Sequence, residues 1–151
     1  MSNNRALAIE LTDSELGAWR GFLRTHSRLV AELDSELVNE HDLPLSTYDV
    51  LVQLAHAPER RLRMSELADS VLLSPSGLTR LVDRLCRDGL VERVRCDDDA
   101  RGSYAVLTER GRARFEEARQ THLAGVRRIF LAHLSPAEQR DLANTWERIA
   151  G

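Results

Sequence analysis

The chain has 151 residues, of which 42% are hydrophobic and 30% charged, a composition typical of one soluble, folded unit. Aromatic residues make up only 5%, and Leu, Ala and Val supply most of the apolar side chains, which favours a helical core over a β-sandwich. No stretch is apolar for long enough to span a membrane and no signal peptide is visible, so we expect a cytoplasmic protein without membrane contact. The net charge of −3 gives no overall attraction to nucleic acid, so the positions of the arginines decide whether a DNA-binding surface exists.

The first predicted element is a long amphipathic helix. Thr12 and Glu15 have the spacing of a capping box. Apolar residues then recur every three or four positions from Leu16 to Leu37, which is typical of one helix face. The helix should end before Pro44, because the residue that precedes a proline is disfavoured in the α region.

Two shorter helices are predicted next, one starting within residues 46–49 and ending at Pro58, the other capped by Ser65. The segment between them, residues 59–63, reads Glu-Arg-Arg-Leu-Arg and is predicted to be a short exposed connection. Its three arginines either contact a nucleic-acid backbone or face solvent, and the sequence favours neither.

A fourth helix has the clearest start signal in the chain. Ser74 is a favourable N-cap and Pro75 suits the first helical position. Gly89 is a typical helix-terminating residue. Its apolar residues define a buried face, formed by Leu78, Leu81, Val82 and Leu85.

The remaining chain predicts a hairpin and two helices. Residues 90–95 and 103–107 are typical of short strands, and residues 96–102 between them predict a polar hairpin tip. Thr108 should cap another long helix with an apolar stripe, and Ser135 with Glu138 forms a capping box for the last one.

The order of these elements predicts a mainly α fold with a small β-hairpin wing. A short helix, a tight turn, a capped helix and a two-stranded ribbon form a winged helix-turn-helix. We assign residues 46–107 to this unit and residues 1–45 and 108–151 to a helical dimerisation region. A homodimer is expected because the two terminal helices carry more apolar surface than so short a chain can cover.

The exposed face of the fourth helix is the predicted DNA-binding surface. An α-helix fits the major groove, where side chains reach base edges and phosphates. Small residues at its start allow close approach, Arg80 and Arg84 project one turn apart, and arginines of the hairpin can enter the minor groove. The candidate contacts are Ser74, Ser76, Gly77, Thr79, Arg80, Arg84, Arg93 and Arg101. Asp99 is expected to pair with an arginine and shape the hairpin tip.

Two segments together resemble the MarR family of transcriptional regulators. Residues 67–93 contain Ser-Pro-Ser-Gly-Leu-Thr-Arg-Leu-Val-Asp-Arg-Leu followed by Asp-Gly-Leu-Val-Glu-Arg, and residues 98–111 contain Asp-Asp-Ala-Arg-Gly followed by Leu-Thr-Glu-Arg-Gly. The resemblance covers nearly the whole chain. It implies a homodimeric regulator, often a repressor, whose recognition helix and wing bind a palindrome and whose first, fifth and sixth helices form the dimer interface. It also implies release from DNA by a small phenolic or other aromatic ligand.

A ligand pocket is predicted between the dimerisation and DNA-binding parts, near Trp19, His26 and Tyr48, although core packing is the stronger explanation for the two large aromatic residues, Trp19 and Tyr48. The histidines show no metal-binding spacing, so neither a metal nor another cofactor is expected. Cys86 and Cys96 are read as inert thiols, with redox sensing as the alternative.

Two classes of function remain open on these patterns. The favoured one is a sequence-specific DNA-binding regulator. The alternative is a winged-helix module that binds a protein partner, although such a module would present apolar or mixed residues where Arg80 and Arg84 stand. No nucleophile–base pair or phosphate-binding loop has an interpretable spacing, so enzymatic activity is not expected.

Overall fold

The computed structural model describes residues 10–71, 73–96 and 99–151, and of residues 99–101 the backbone alone. The helices are α1 (Asp13–His41), α2 (Leu45–His56), α3 (Met64–Ser70), α4 (Pro75–Arg87), α5 (Glu109–Ile129) and α6 (Pro136–Ala150). The strands are β1 (Arg61–Arg63), β2 (Val91–Cys96) and β3 (Asp99–Leu107), and 3₁₀ turns span Pro58–Arg60 and Leu131–His133. The predicted mainly α winged helix-turn-helix is confirmed.

Side-chain caps fix the predicted starts of α1, α5 and α6. The capping boxes at Thr12 and Ser135 are both present, and the Thr108 hydroxyl accepts the Gly111 N–H at 3.0 Å. The predicted cap at Ser65 is wrong. The third helix begins at Met64, and the backbone N–H of the preceding residue, Arg63, donates to the Glu66 carboxylate at 2.8 Å.

The sheet has three antiparallel strands in the order β1-β3-β2, so the wing is larger than the predicted hairpin. Residues 61–63 are not an exposed connection but an edge strand, in which Arg61 faces Val106 and Arg63 faces Tyr104. The predicted hairpin tip is also shorter, because β2 extends to Cys96 and β3 begins at Asp99. Strand β1 and the last residue of β2 are strand residues because their backbones pair with β3. They carry too few apolar side chains to show a strand pattern in the sequence alone.

The core lies between α2, α3, α4 and the inner side of the sheet, and the ends of α1 and α5 complete it. Its most buried large side chains are Leu37, Leu51, Leu54, Leu67, Leu78 and Leu85. Leu37 is the only residue of α1 that is buried, whereas Trp19, Phe22 and Leu23 on the same helix are each more than 40% exposed. One chain therefore leaves most of the predicted apolar stripe of α1 uncovered.

Candidate nucleic-acid interface

The first turn of α4 is compact. The Ser74 hydroxyl accepts the backbone N–H of Gly77 at 3.1 Å, and Pro75 occupies the first helical position. A Cβ atom at Gly77 would lie 3.0 Å from the Ser74 hydroxyl, so glycine lets the cap close without displacing it. The remaining N–H groups of this turn make it a favourable place for a phosphate.

The outer face of α4 is polar along its whole length, opposite the buried leucine and valine face. The hydroxyl of Thr79, an exposed residue, donates to the Pro75 carbonyl at 3.0 Å. Pro75, Ser76, Thr79 and Arg80 line a shallow concave surface at the start of the helix. The exposed residues of this face are Ser76, Thr79, Arg80, Asp83, Arg84 and Arg87.

Arg80 and Arg84 have no acidic partner among the residues whose side chains are described. Each is exposed, and none of the ion pairs within that part of the chain includes either guanidinium. Their separation of four residues places them one turn apart on the same side of α4. Two exposed cations that no described acidic side chain neutralises provide donors for guanine and phosphate oxygens on one side of α4.

Arg93 contacts the helix rather than standing apart from it. Its guanidinium lies 3.1 Å from the Asp83 carboxylate, so this ion pair joins β2 to the exposed side of α4. The strand register places Arg95 on the same side of the sheet as Arg93, two residues nearer the hairpin tip, and Arg95 is exposed. Arg95 was not among the predicted contacts, although alternation along the strand would have indicated it.

The arginines of residues 60–63 are engaged within the protein. Arg60 pairs with Glu109 at 2.5 Å, and Arg61 pairs with Glu59 at 2.6 Å. The guanidinium carbons of Arg61 and Arg63 also lie 5.0 and 5.6 Å from the centre of the Tyr104 ring. These contacts stabilise the outer side of the sheet and neutralise two of the three charges, which disfavours the phosphate-contact interpretation of this segment.

Arg101, the predicted wing contact, and Asp99, predicted to shape the tip, are residues whose side chains lie outside the described part of the structure. The backbone of both residues belongs to β3, beyond the irregular step in the pairing between Arg95 and Cys96. The roles assigned to these two side chains stay predictions.

The structure separates the three residues predicted to line a ligand pocket. Trp19 and His26 are exposed on α1, and each ring lies 6.1 Å from that of Phe22. Tyr48 is buried on α2 and packs against His122 of α5, with 4.5 Å between the ring centres and an angle of 37° between the ring planes. Trp19 and His26 therefore share one face of α1, whereas Tyr48 belongs to the contact between α2 and α5.

The two cysteines lie at separate places in the DNA-binding unit. Cys86 is half-buried near the end of α4, and Cys96 is buried at the end of β2. Burial raises the pKa of the Cys86 thiol, which favours the unreactive protonated form.

The geometry on these elements is that of a winged-helix DNA-binding protein, and comparisons with known proteins give the family. A model of the MarR family matches residues 41–102. AbsC, a MarR family transcriptional regulator from Streptomyces coelicolor, is 35% identical, with 94% of this chain and 95% of that chain covered and a TM-score of 0.87. Sco3205, a MarR family transcriptional regulator from the same organism solved in complex with DNA, is 34% identical. The match covers 94% of this chain and 89% of that chain, with a TM-score of 0.89.

An HTH-type transcriptional regulator of Bacillus cereus is 31% identical over 112 residues, which are 74% of this chain and 72% of that protein. The chain belongs to the MarR family of transcriptional regulators, and it is a DNA-binding regulator of that family. Within the described residues, none of the helices is both long and apolar enough to cross a membrane.

Proposed function

We propose that the protein acts as a homodimer on a pseudo-palindromic operator whose half-sites lie about one helical turn apart. The observation that carries this proposal is the exposed face of α4, where Arg80 and Arg84 have no acidic partner among the described side chains. A twofold dimer presents two such helices, which is the arrangement that an inverted repeat requires.

The dimer is proposed to form through residues 1–45 and 108–151, and DNA binding to reside in residues 46–107. The terminal helices carry most of the large apolar side chains that one chain leaves exposed. They include Trp19, Phe22, Leu23 and Val30 on α1, Leu123 on α5, and Trp146 and Ile149 on α6. Phe22 and Trp146 lie 5.3 Å apart between ring centres, so part of this surface is one continuous patch. Patches of this kind mark protein interfaces, and a second copy would bury them.

The residues of the DNA surface are proposed to have distinct roles. Ser74, Ser76 and Gly77 bring the start of α4 close to a phosphate, while Thr79, Arg80 and Arg84 contact base edges and the backbone. Arg101 is proposed to enter the minor groove, with Asp99 shaping the tip. Arg93 acts mainly through Asp83, by holding the wing against the helix.

We further propose that the regulator is a repressor that a small aromatic or weakly acidic ligand releases from DNA. A bound dimer blocks access to the DNA that it covers, which is the simplest route to repression. A ligand weakens DNA binding if it prefers an arrangement in which the two α4 helices no longer match the half-sites.

Selection of bound sequences from a random pool of double-stranded DNA tests the DNA proposal. We expect an inverted repeat with two half-sites about ten base pairs apart between centres. Recovery of a direct repeat would contradict the twofold arrangement. Failure to enrich any sequence at low salt would favour the alternative of a protein-binding module.

A thermal-shift screen with aromatic acids, run beside a DNA-release assay, tests the ligand proposal. The expected compound stabilises the protein and weakens DNA binding. Trp19→Ala and Tyr48→Phe then locate its site, because the structure places these two residues in different contacts. A compound that stabilises the protein but leaves DNA binding unchanged would contradict a regulatory role.

A further inference from the structure

The turn between α1 and α2 is the place where the proposed dimer region meets the DNA-binding unit. It consists of Asp42, Leu43 and Pro44 alone. Asp42 has a left-handed backbone conformation with φ of 50°, and the Leu43 N–H bonds back to the Leu37 carbonyl at 3.3 Å. The side chain of Leu43 is buried. The chain therefore leaves α1 in one defined direction.

The first N–H of α2 is capped from another helix. Pro44 stands at the N-cap position of α2 and provides no capping side chain. The Leu45 N–H instead donates to Oδ1 of Asp34, a residue of α1, at 2.8 Å. A carboxylate at a helix N-terminus satisfies an otherwise unpaired donor and interacts favourably with the helix dipole. Because a hydrogen bond is directional, this contact also fixes where α2 starts relative to α1.

The end of α1 is held from α5. A guanidinium nitrogen of Arg114 donates to the carbonyl oxygen of His41, the last residue of α1. Nε2 of His41 forms a further hydrogen bond with the Thr121 hydroxyl at 2.7 Å. Each helix that flanks the three-residue turn is thus held by its own hydrogen bond. Asp34 joins the start of α2 to α1, and Arg114 joins the end of α1 to α5.

We propose that Asp34 and Arg114 are positioning residues that set the spacing of half-sites the dimer accepts. The inference rests on the proposed function, since it requires a dimer built on α1 that reads two half-sites. Helix α2 has 12 residues, which gives it a length of about 18 Å. A rotation of roughly 10° at its start moves its far end by about 3 Å, close to the rise of one base pair. A small change of angle at residues 42–44 therefore changes the match to the operator by about one base pair.

The test measures binding to three kinds of DNA: the selected operator, versions with the spacer longer or shorter by one base pair, and a half-site alone. Asp34→Ala should bind the half-site alone within about twofold of the unaltered protein. Its preference for the selected spacing should fall by about tenfold, the equivalent of one hydrogen bond to a charged group. Asp34→Asn keeps an acceptor oxygen and should recover most of the preference. Asp13→Ala removes the same charge from the start of α1 and should leave the preference unchanged.

The outcomes separate this inference from the proposed function. An unaltered protein that binds no DNA, or that shows no spacing preference, contradicts the proposed function and this inference with it. Unaltered spacing preference in Asp34→Ala contradicts this inference alone, as does an equal loss of affinity for every DNA. If Asp34→Ala does not fold, Arg114→Gln gives the same readout without touching the cap of α2, and an unchanged preference there overturns the proposal.

Discussion

The ion pair between Arg93 and Asp83 offers a direct test of how the wing works. We predict that it orders the wing against α4, so that Arg93→Ala, Asp83→Ala and the double substitution weaken DNA binding to a similar degree. The charged groups lie 3.1 Å apart, and their side chains are 35% and 55% exposed. An ion pair with this exposure stabilises the contact between the wing and α4 by about 0.2–1 kcal/mol. Losing it should therefore lower the affinity for the operator by at most about fivefold.

The assay is a double-mutant cycle on operator affinity, repeated at several salt concentrations. We predict that Arg93→Ala has little further effect on affinity once Asp83 is replaced, and that the slope of log affinity against log salt stays unchanged. A direct phosphate contact predicts the opposite: the effect of Arg93→Ala persists without Asp83, and the slope falls by about one. Additive losses with a reduced slope would therefore refute the positioning role of Arg93.

Three further predictions concern stability and assembly. Gly111→Ala should lower the free energy of unfolding by roughly 1–3 kcal/mol in chemical denaturation, because the added Cβ would lie 2.1 Å from the Leu90 carbonyl oxygen; unchanged stability would contradict this packing. Burial lowers the pKa of His122, which packs against Tyr48, below the ordinary histidine pKa of 6.5. The unfolded chain therefore binds a proton at this residue more readily than the folded protein does, so the fold should lose stability as the pH falls below 6.5. His122→Phe should flatten that pH dependence in thermal unfolding, and an equally steep dependence in the variant would exclude His122 as its source. Phe22→Asp should shift the sedimenting species from dimer towards monomer, and an unaltered dimer would place the interface elsewhere.

Local signals in the sequence predicted most of the fold correctly. Ser74 with Pro75 and the two capping boxes act within three residues, so the starts of α4, α1 and α6 can be read without knowledge of the tertiary structure. The buried face of α4 follows in the same way from the helical period. The exposed face of this helix, and with it the candidate DNA surface, was therefore predictable.

The features that the sequence did not predict depend on partners distant in the chain. Strand β1 has three residues, two of them arginines, and is a strand because it pairs with β3 more than 40 positions later. The cap that Asp34 provides for α2 joins residues 11 positions apart on different helices. Tyr48 and Trp19 are both large aromatic residues of predicted helices, and only tertiary packing assigns one to the core and the other to the surface.

The central claim is that α4 reads DNA through its exposed arginines, and operator binding by Arg80→Ala tests it most directly. We predict a loss on the order of 1–3 kcal/mol, together with relaxed specificity at one base pair of each half-site. Arg112→Ala is the matched control, because this arginine is also exposed but lies on α5, paired with Glu109 at 3.1 Å. Its affinity should equal that of the unaltered protein. Unchanged affinity and specificity in Arg80→Ala would contradict the assignment of α4 as the recognition helix.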